Sequence, residues 1–387
     1  WYAALIKLGW RFETHERLVW RVLVWTLTAP LGALGIVCVF LLACSWDVPW
    51  MSALLASLAL ALCSPWWPAF GVLYHDSIAV TLILIGVTIW QCRSASGLSA
   101  IVSGCLLAFS LVTTYLVTPI VFLIVLSVLV SRPARRDVML FGCGFLPTFS
   151  LLPIANMLSF GSPFATGYSA GGFEKNYPSP FDLSNAWEKI GFYLWDYEYG
   201  LLWMFPVFFV GAVGLLWSSP LKPTVRRLLV GLMTAHFLFI ITMEHHGSVG
   251  WGMGRFFLPL YPILVFGVSA FWDLAGWKGH AARALVFSSM VYSAAFAAAG
   301  VGYGVQGVME PGVPTLKLRL MVEHYSLSQG LVWLAMVAGV INGLLYYTFG
   351  SNYGSVQRSP SLQWRQGISH ESKAGVTKNV RKPRRKK

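Results

Sequence analysis

A carboxylate, two imidazoles and a guanidinium fall together in Glu244-His245-His246-Gly247-Ser248-Val249-Gly250-Trp251-Gly252-Met253-Gly254-Arg255. This stretch joins two apolar segments, 227–243 and 256–272. A guanidinium at the end of a membrane helix snorkels to lipid headgroups, pairs with a carboxylate or binds an anion, and both the snorkelling and the anion-binding readings of Arg255 stand. The glycines at 247, 250, 252 and 254 let the backbone turn tightly and approach a ligand closely. Glu244 is a candidate base. His245 and His246 are candidate ligands for a divalent metal such as Mg or Mn, although adjacent histidines with no third ligand at helical spacing do not make a site alone.

A second reactive pair, His75-Asp76, ends the aromatic stretch Ser64-Pro65-Trp66-Trp67-Pro68-Ala69-Phe70-Gly71-Val72-Leu73-Tyr74 and opens an apolar segment. Asp76 either caps that helix or, with His75, serves as a proton acceptor or substrate ligand. Neighbours on a helix point apart, so the two are expected not to serve one atom. Further on, Trp187, Ile190, Tyr193 and Leu194, preceded by Phe181, recur at helical spacing and predict an amphipathic helix at a membrane interface. The run Trp195-Asp196-Tyr197-Glu198-Tyr199 follows it. Aromatic rings there are either belt anchors or, interleaved with carboxylates, sugar-stacking platforms.

The elements that hold these groups follow from composition. The chain of 387 residues is 56% hydrophobic and only 11% charged, with a mean hydropathy of +0.64; soluble domains carry about 25% charged residues. An all-α polytopic membrane bundle is expected. Its formal charge of +13 sits in short loops and the tail, which suits anionic lipid and a positive-inside orientation rather than nucleic acid. The six cysteines, at 38, 44, 63, 92, 105 and 143, lie in apolar runs without metal spacing and read as small core residues.

Apolar runs predict about 11 crossings, at 24–44, 50–63, 76–92, 98–112, 116–130, 138–158, 200–217, 227–243, 256–272, 282–303 and 329–349. Several are short and bounded by Pro or Gly, which suits broken helices around an outer-face cavity. Residues 1–21 interleave Lys7, Arg11, Arg17 and Arg21 with Trp10, Phe12 and Trp20, as an amphipathic interfacial segment does. The bundle then spans 22–349, and 350–387 reads as a basic, disordered cytoplasmic tail. Placing Arg132 to Arg136, Lys222 to Arg227, Lys278 to Arg283 and the tail in the cytoplasm makes 64–75, 159–199, 244–255 and 304–328 outer loops. Residues 1–21 then fall outside, against the positive-inside preference, where they would bind lipid phosphate.

Four motifs, in order, resemble the prokaryotic membrane glycosyltransferases of the GT-C superfamily, in the branch akin to protein O-mannosyltransferases and lipid A aminoarabinose transferase-like proteins. They are Ser64-Pro65-Trp66-Trp67-Pro68 through Tyr74-His75, Asn156 with Phe160 to Tyr168, Gly200-Leu201-Leu202-Trp203-Met204-Phe205-Pro206, and Val249 to Pro262 with Arg255 at the family's arginine. The resemblance covers about 64–262 and thins after 272. It implies transfer of a sugar from a polyprenyl-phosphate donor to an acceptor on the outer face of a bacterial cytoplasmic membrane, often with a divalent metal. The family's catalytic aspartate lies in a first outer loop of which residues 1–21 resemble the end; that loop and the helix before it are expected upstream of Trp1. Arg255 would stabilise the leaving phosphate, with His75, Asp76 or Glu244 as base. Tyr168, Trp251, Tyr115 and Glu198 would contact substrate, with Arg17 and Arg21 on lipid headgroups.

Two other classes fit the same pattern. A transporter or flippase for a lipid-linked anion also uses short, broken helices, but no internal repeat is evident. A non-catalytic subunit of a larger membrane complex would keep the bundle without the chemistry.

Overall fold

The computed structural model describes residues 18–19, 21–71, 75–92, 97–131, 134–165, 185–195, 201–217, 221–242, 256–273 and 276–304, all within the unit Trp1–Gly339. Among these the chain is all-α, 88% helical and without strands. A π-helical turn, Val24–Thr28, leads into α1 (Ala29–Ser45), followed by α2 (Trp50–Leu62), the short α3 (Trp66–Gly71), α4 (His75–Gln91) and α5 (Gly97–Thr113). A 3-10 turn, Tyr115–Val117, opens α6 (Thr118–Val130). Then come α7 (Arg135–Phe149), α8 (Leu151–Phe160), α9 (Ala186–Leu194), α10 (Leu201–Met204), α11 (Pro206–Trp217), α12 (Pro223–Thr242), α13 (Tyr261–Trp272) and α14 (Gly276–Gly304).

Local chemistry sets the boundaries. Pro49, extended at φ −54 and ψ 139, precedes the first residue of α2 because proline tolerates only a helix start. Proline also stands in the first turn of α1, α6 and α13. Gly161 adopts φ 73 after α8, the left-handed stop that glycine reaches without penalty.

Among the described residues three helical runs are long and apolar enough to cross a membrane: Arg21–Ser45, Arg135–Phe160 and Pro223–Thr242. Shorter apolar helices of 10 to 17 residues accompany them in the chain. The run Arg135–Phe160 keeps only 11% of its most apolar window buried, and Leu158 (83%) and Leu146 (66%) face outward. Apolar surface of that extent is covered by lipid more readily than by water.

Glycines let the helices meet backbone to backbone. A Cβ on Gly104 would strike the carbonyl of Phe141, and one on Gly144 the carbonyl of Ile101, so α5 and α7 touch through their main chains. Gly211 and Gly214 on α11 meet Leu264 and Gly267 on α13 in the same way. Small residues are what close helix approach in membranes requires. On α4, Gly86 accepts a hydrogen bond from Ser103 of α5 at 2.8 Å. Gly32 and Gly35 on α1 leave a groove that the rings of Phe70 and Trp66 fill, with Trp66 Nε1 donating to the Gly32 carbonyl at 3.0 Å.

These contacts sort the chain into two ends. At one, Lys222 pairs with Asp47 at 2.6 Å, Ser52 donates to Asp273 at 2.6 Å, and Arg283 Nε donates to the Trp272 carbonyl at 3.2 Å. At the other lie α3, the start of α4, the Tyr115 turn, the end of α8, the end of α12 and residues 256–261. Of the outer loops predicted at 64–75 and 159–199, the described residues 64–71, 75 and 159–165 fall at this second end. The cysteines divide: Cys38 and Cys63 are buried, but Cys92 and Cys143 are exposed, which corrects the expectation that all six are core residues. Both sit on outward helix faces or ends, where an apolar residue type meets the surroundings and not a neighbour.

Candidate functional site

The second end carries the reactive groups. His75 and Asp76 open α4, and their side chains meet: His75 Nε2 lies 3.3 Å from Asp76 Oδ1. This overturns the expectation that they point apart, since the first turn of a helix leaves room for one side chain to fold back beside its neighbour. The two differ in access, for the imidazole is 50% exposed and the carboxylate 1%. A carboxylate only accepts, so Nε2 is the donor at this contact. Asp76 in the first turn also faces the positive end of the α4 dipole.

His236, in the middle of α12, is wholly buried. Its Nε2 lies 3.0 Å from the carbonyl of Phe256, which fixes the Nε2–H tautomer, and Nδ1 has no partner. The helix α12 and the chain at Phe256 thus meet through this imidazole. Sequence reading passed over His236 because it breaks no pattern. A lone ionisable residue inside an apolar crossing was the available signal.

Next to it, Phe257 is ringed by Phe237, with centroids 6.2 Å apart, and by Tyr193 of α9 at 5.6 Å. Burial pushes the Tyr193 hydroxyl up to about 12, so it stays a donor. The predicted helix exists as α9, but its buried face is Lys189 (2%) and Tyr193 (3%), whereas Trp187 is 75% exposed. An exposed tryptophan suits the interfacial position expected of this helix, and a lysine lies inside.

Tyr115 is engaged: its hydroxyl donates to Asn156 Oδ1 at 3.2 Å. Asn156 Nδ2 in turn reaches the Pro163 carbonyl at 3.3 Å. The Asn156 and Phe160-Gly161-Ser162-Pro163 motif is thus a self-bracing turn tied to the Tyr115 segment. Likewise Trp66 of the Ser64-Pro65-Trp66-Trp67-Pro68 motif packs α3 into α1. Arg21 is exposed at the head of the first apolar run. Arg255, Glu244, His245, His246, Trp251, Tyr168, Glu198 and Arg17 lie outside the described residues. Among the described residues no three His, Cys, Asp or Glu side chains gather to hold a metal.

Comparison with family models, with curated proteins and with solved structures returns no match.

Proposed function

We propose that the chain is an integral membrane glycosyltransferase of the GT-C kind, transferring a sugar from a polyprenyl-phosphate donor. In this reading about 11 crossings enclose a cavity on the outer face of a bacterial cytoplasmic membrane, with the C-terminus cytoplasmic. The supporting observation is the His75–Asp76 pair: a half-exposed imidazole whose tautomer is set by a buried carboxylate, at the end of the bundle away from the basic loops.

The chemistry is acid–base with charge stabilisation. Nδ1 of His75 takes the proton of the acceptor hydroxyl as its oxygen bonds to the anomeric carbon. The bond from that carbon to the phosphate oxygen breaks, and the polyprenyl phosphate leaves with the electron pair. Asp76 offsets the imidazolium that forms, as a buried carboxylate does in hydrolase triads. Arg255, one residue before the anchored Phe256, meets the leaving phosphate. Asp76, closed from solvent, is the partner and not the base. The test is transfer from a labelled polyprenyl-phosphate hexose by the full chain in proteoliposomes, with His75→Gln expected to abolish it.

Buried ionisable groups inside an apolar bundle also mark ion and proton pathways. Asp76, His236 and Lys189 therefore favour, as a second reading, a transporter of a lipid-linked anion. Movement of the same donor across the bilayer without cleavage would select it.

A further inference from the structure

The buried imidazole on α12 is idle in that mechanism, yet its geometry is specific. Nε2 of His236 is directed at a main-chain carbonyl, and the residue owning that carbonyl, Phe256, is itself buried. The following ring, Phe257, is clamped between Phe237, the next residue on α12, and Tyr193 on α9. Adjacent residues of one helix thus grip adjacent residues of the segment that enters α13.

We infer that His236 is the positioning residue of the site: it locks the main chain at Phe256 onto α12 and holds it in register with the His75–Asp76 pair on α4. This rests on the transferase reading for its consequence and on the structure alone for its geometry. A carbonyl buried in this way needs a donor, and removing one partner of a buried hydrogen bond frees the segment to move. Small displacements of charged groups at a reacting centre cost about 10²-fold in rate, so the lock reaches catalysis without His236 touching substrate. The elements packed on α12 are α6, α9, α11 and α13. Of these α6 and α11 carry no ionisable side chain, α9 carries Glu188, Lys189 and Tyr193, and α13 only Tyr261.

The test compares His236→Leu with His236→Gln in the full chain. Glutamine keeps an N–H that reaches the Phe256 carbonyl and lacks the imidazole's basic nitrogen; leucine has neither. Hydrogen exchange, read by mass spectrometry on the peptide beginning at Phe256, rises at least tenfold in the leucine variant and stays within threefold of wild type in the glutamine variant. Transfer from a polyprenyl-phosphate hexose follows the same order, with kcat falling tenfold or more for leucine, KM for donor little changed, and glutamine rescuing. Unchanged exchange in His236→Leu overturns the inference, as does a glutamine variant as disordered as the leucine one. If wild type transfers no sugar, the transferase reading fails, while the exchange contrast still decides the role of His236.

Discussion

His75 and Asp76, adjacent in the chain, share one contact of 3.3 Å and differ in access, since the imidazole is half exposed and the carboxylate is 1% exposed. A solvent-reachable base over a closed counter-charge is how a neutral-pH base is kept in one tautomer. Asp76→Asn keeps the shape and removes the charge. Transfer should fall by about 10² to 10⁴, the range general-base catalysis supplies, with donor binding within twofold. Steady-state kinetics in proteoliposomes would show it, and an unimpaired Asp76→Asn enzyme would remove Asp76 from the site.

The helix contacts make a prediction about stability. Gly104 and Gly144 admit no Cβ without moving a backbone carbonyl. Gly144→Val should destabilise by about 1 to 3 kcal/mol, the usual cost of overpacking. Gly142, which has open space around it, should accept alanine with no loss. Thermal inactivation in detergent distinguishes the two.

Asp273, just past the end of α13, provides a pH dependence. Burial raises its pKa, while the Ser52 hydrogen bond and the Arg283 charge act in the opposite sense. The folded state therefore holds this proton more tightly than the unfolded chain. Its contribution is fully present below the ordinary value of 3.8 and is lost as pH rises through the raised folded value. Asp273→Asn should remove that decline, leaving melting less steep with pH on the acid side. A variant whose melting profile parallels wild type throughout would contradict it.

Much of the helical layout was legible in the sequence. The apolar segments expected at 50–63, 76–92 and 98–112 appear as the helices Trp50–Leu62, His75–Gln91 and Gly97–Thr113, because Pro49, the polar His75-Asp76 pair and Gly97 punctuate runs of otherwise apolar residues; each is shorter than the three runs long enough to cross a membrane among the described residues. The crossing expected at 138–158 is Arg135–Phe160, divided at Ser150 between Pro147 and Pro153. The crossing expected at 329–349 lies outside the described residues. The site was less legible. Periodicity ranks residues by apolarity, so it marked the helix at α9 through Trp187, Ile190, Tyr193 and Leu194 and had no means of seeing that Lys189 is buried there. His236 needed a partner from beyond α12, the Phe256 carbonyl, which no local pattern announces.

The two ends of the bundle predict sidedness. Lys222 and Asp47 are paired at one end and both are more than half exposed, whereas His75 stands at the other. In a cysteine-free background, Lys222→Cys should react with a membrane-impermeant thiol reagent only in inverted vesicles, and His75→Cys only in intact cells. Labelling of both from the same side would overturn the arrangement.

The central claim is that this chain moves a sugar from a lipid-linked phosphate, and the most direct measurement is transfer by the purified full chain in proteoliposomes loaded with a radiolabelled polyprenyl-phosphate hexose. Wild type should form glycosylated product, and Arg255→Ala and His75→Gln should each lose at least 10²-fold in kcat. Product formed equally well by wild type and both variants, or by none of them, would contradict it.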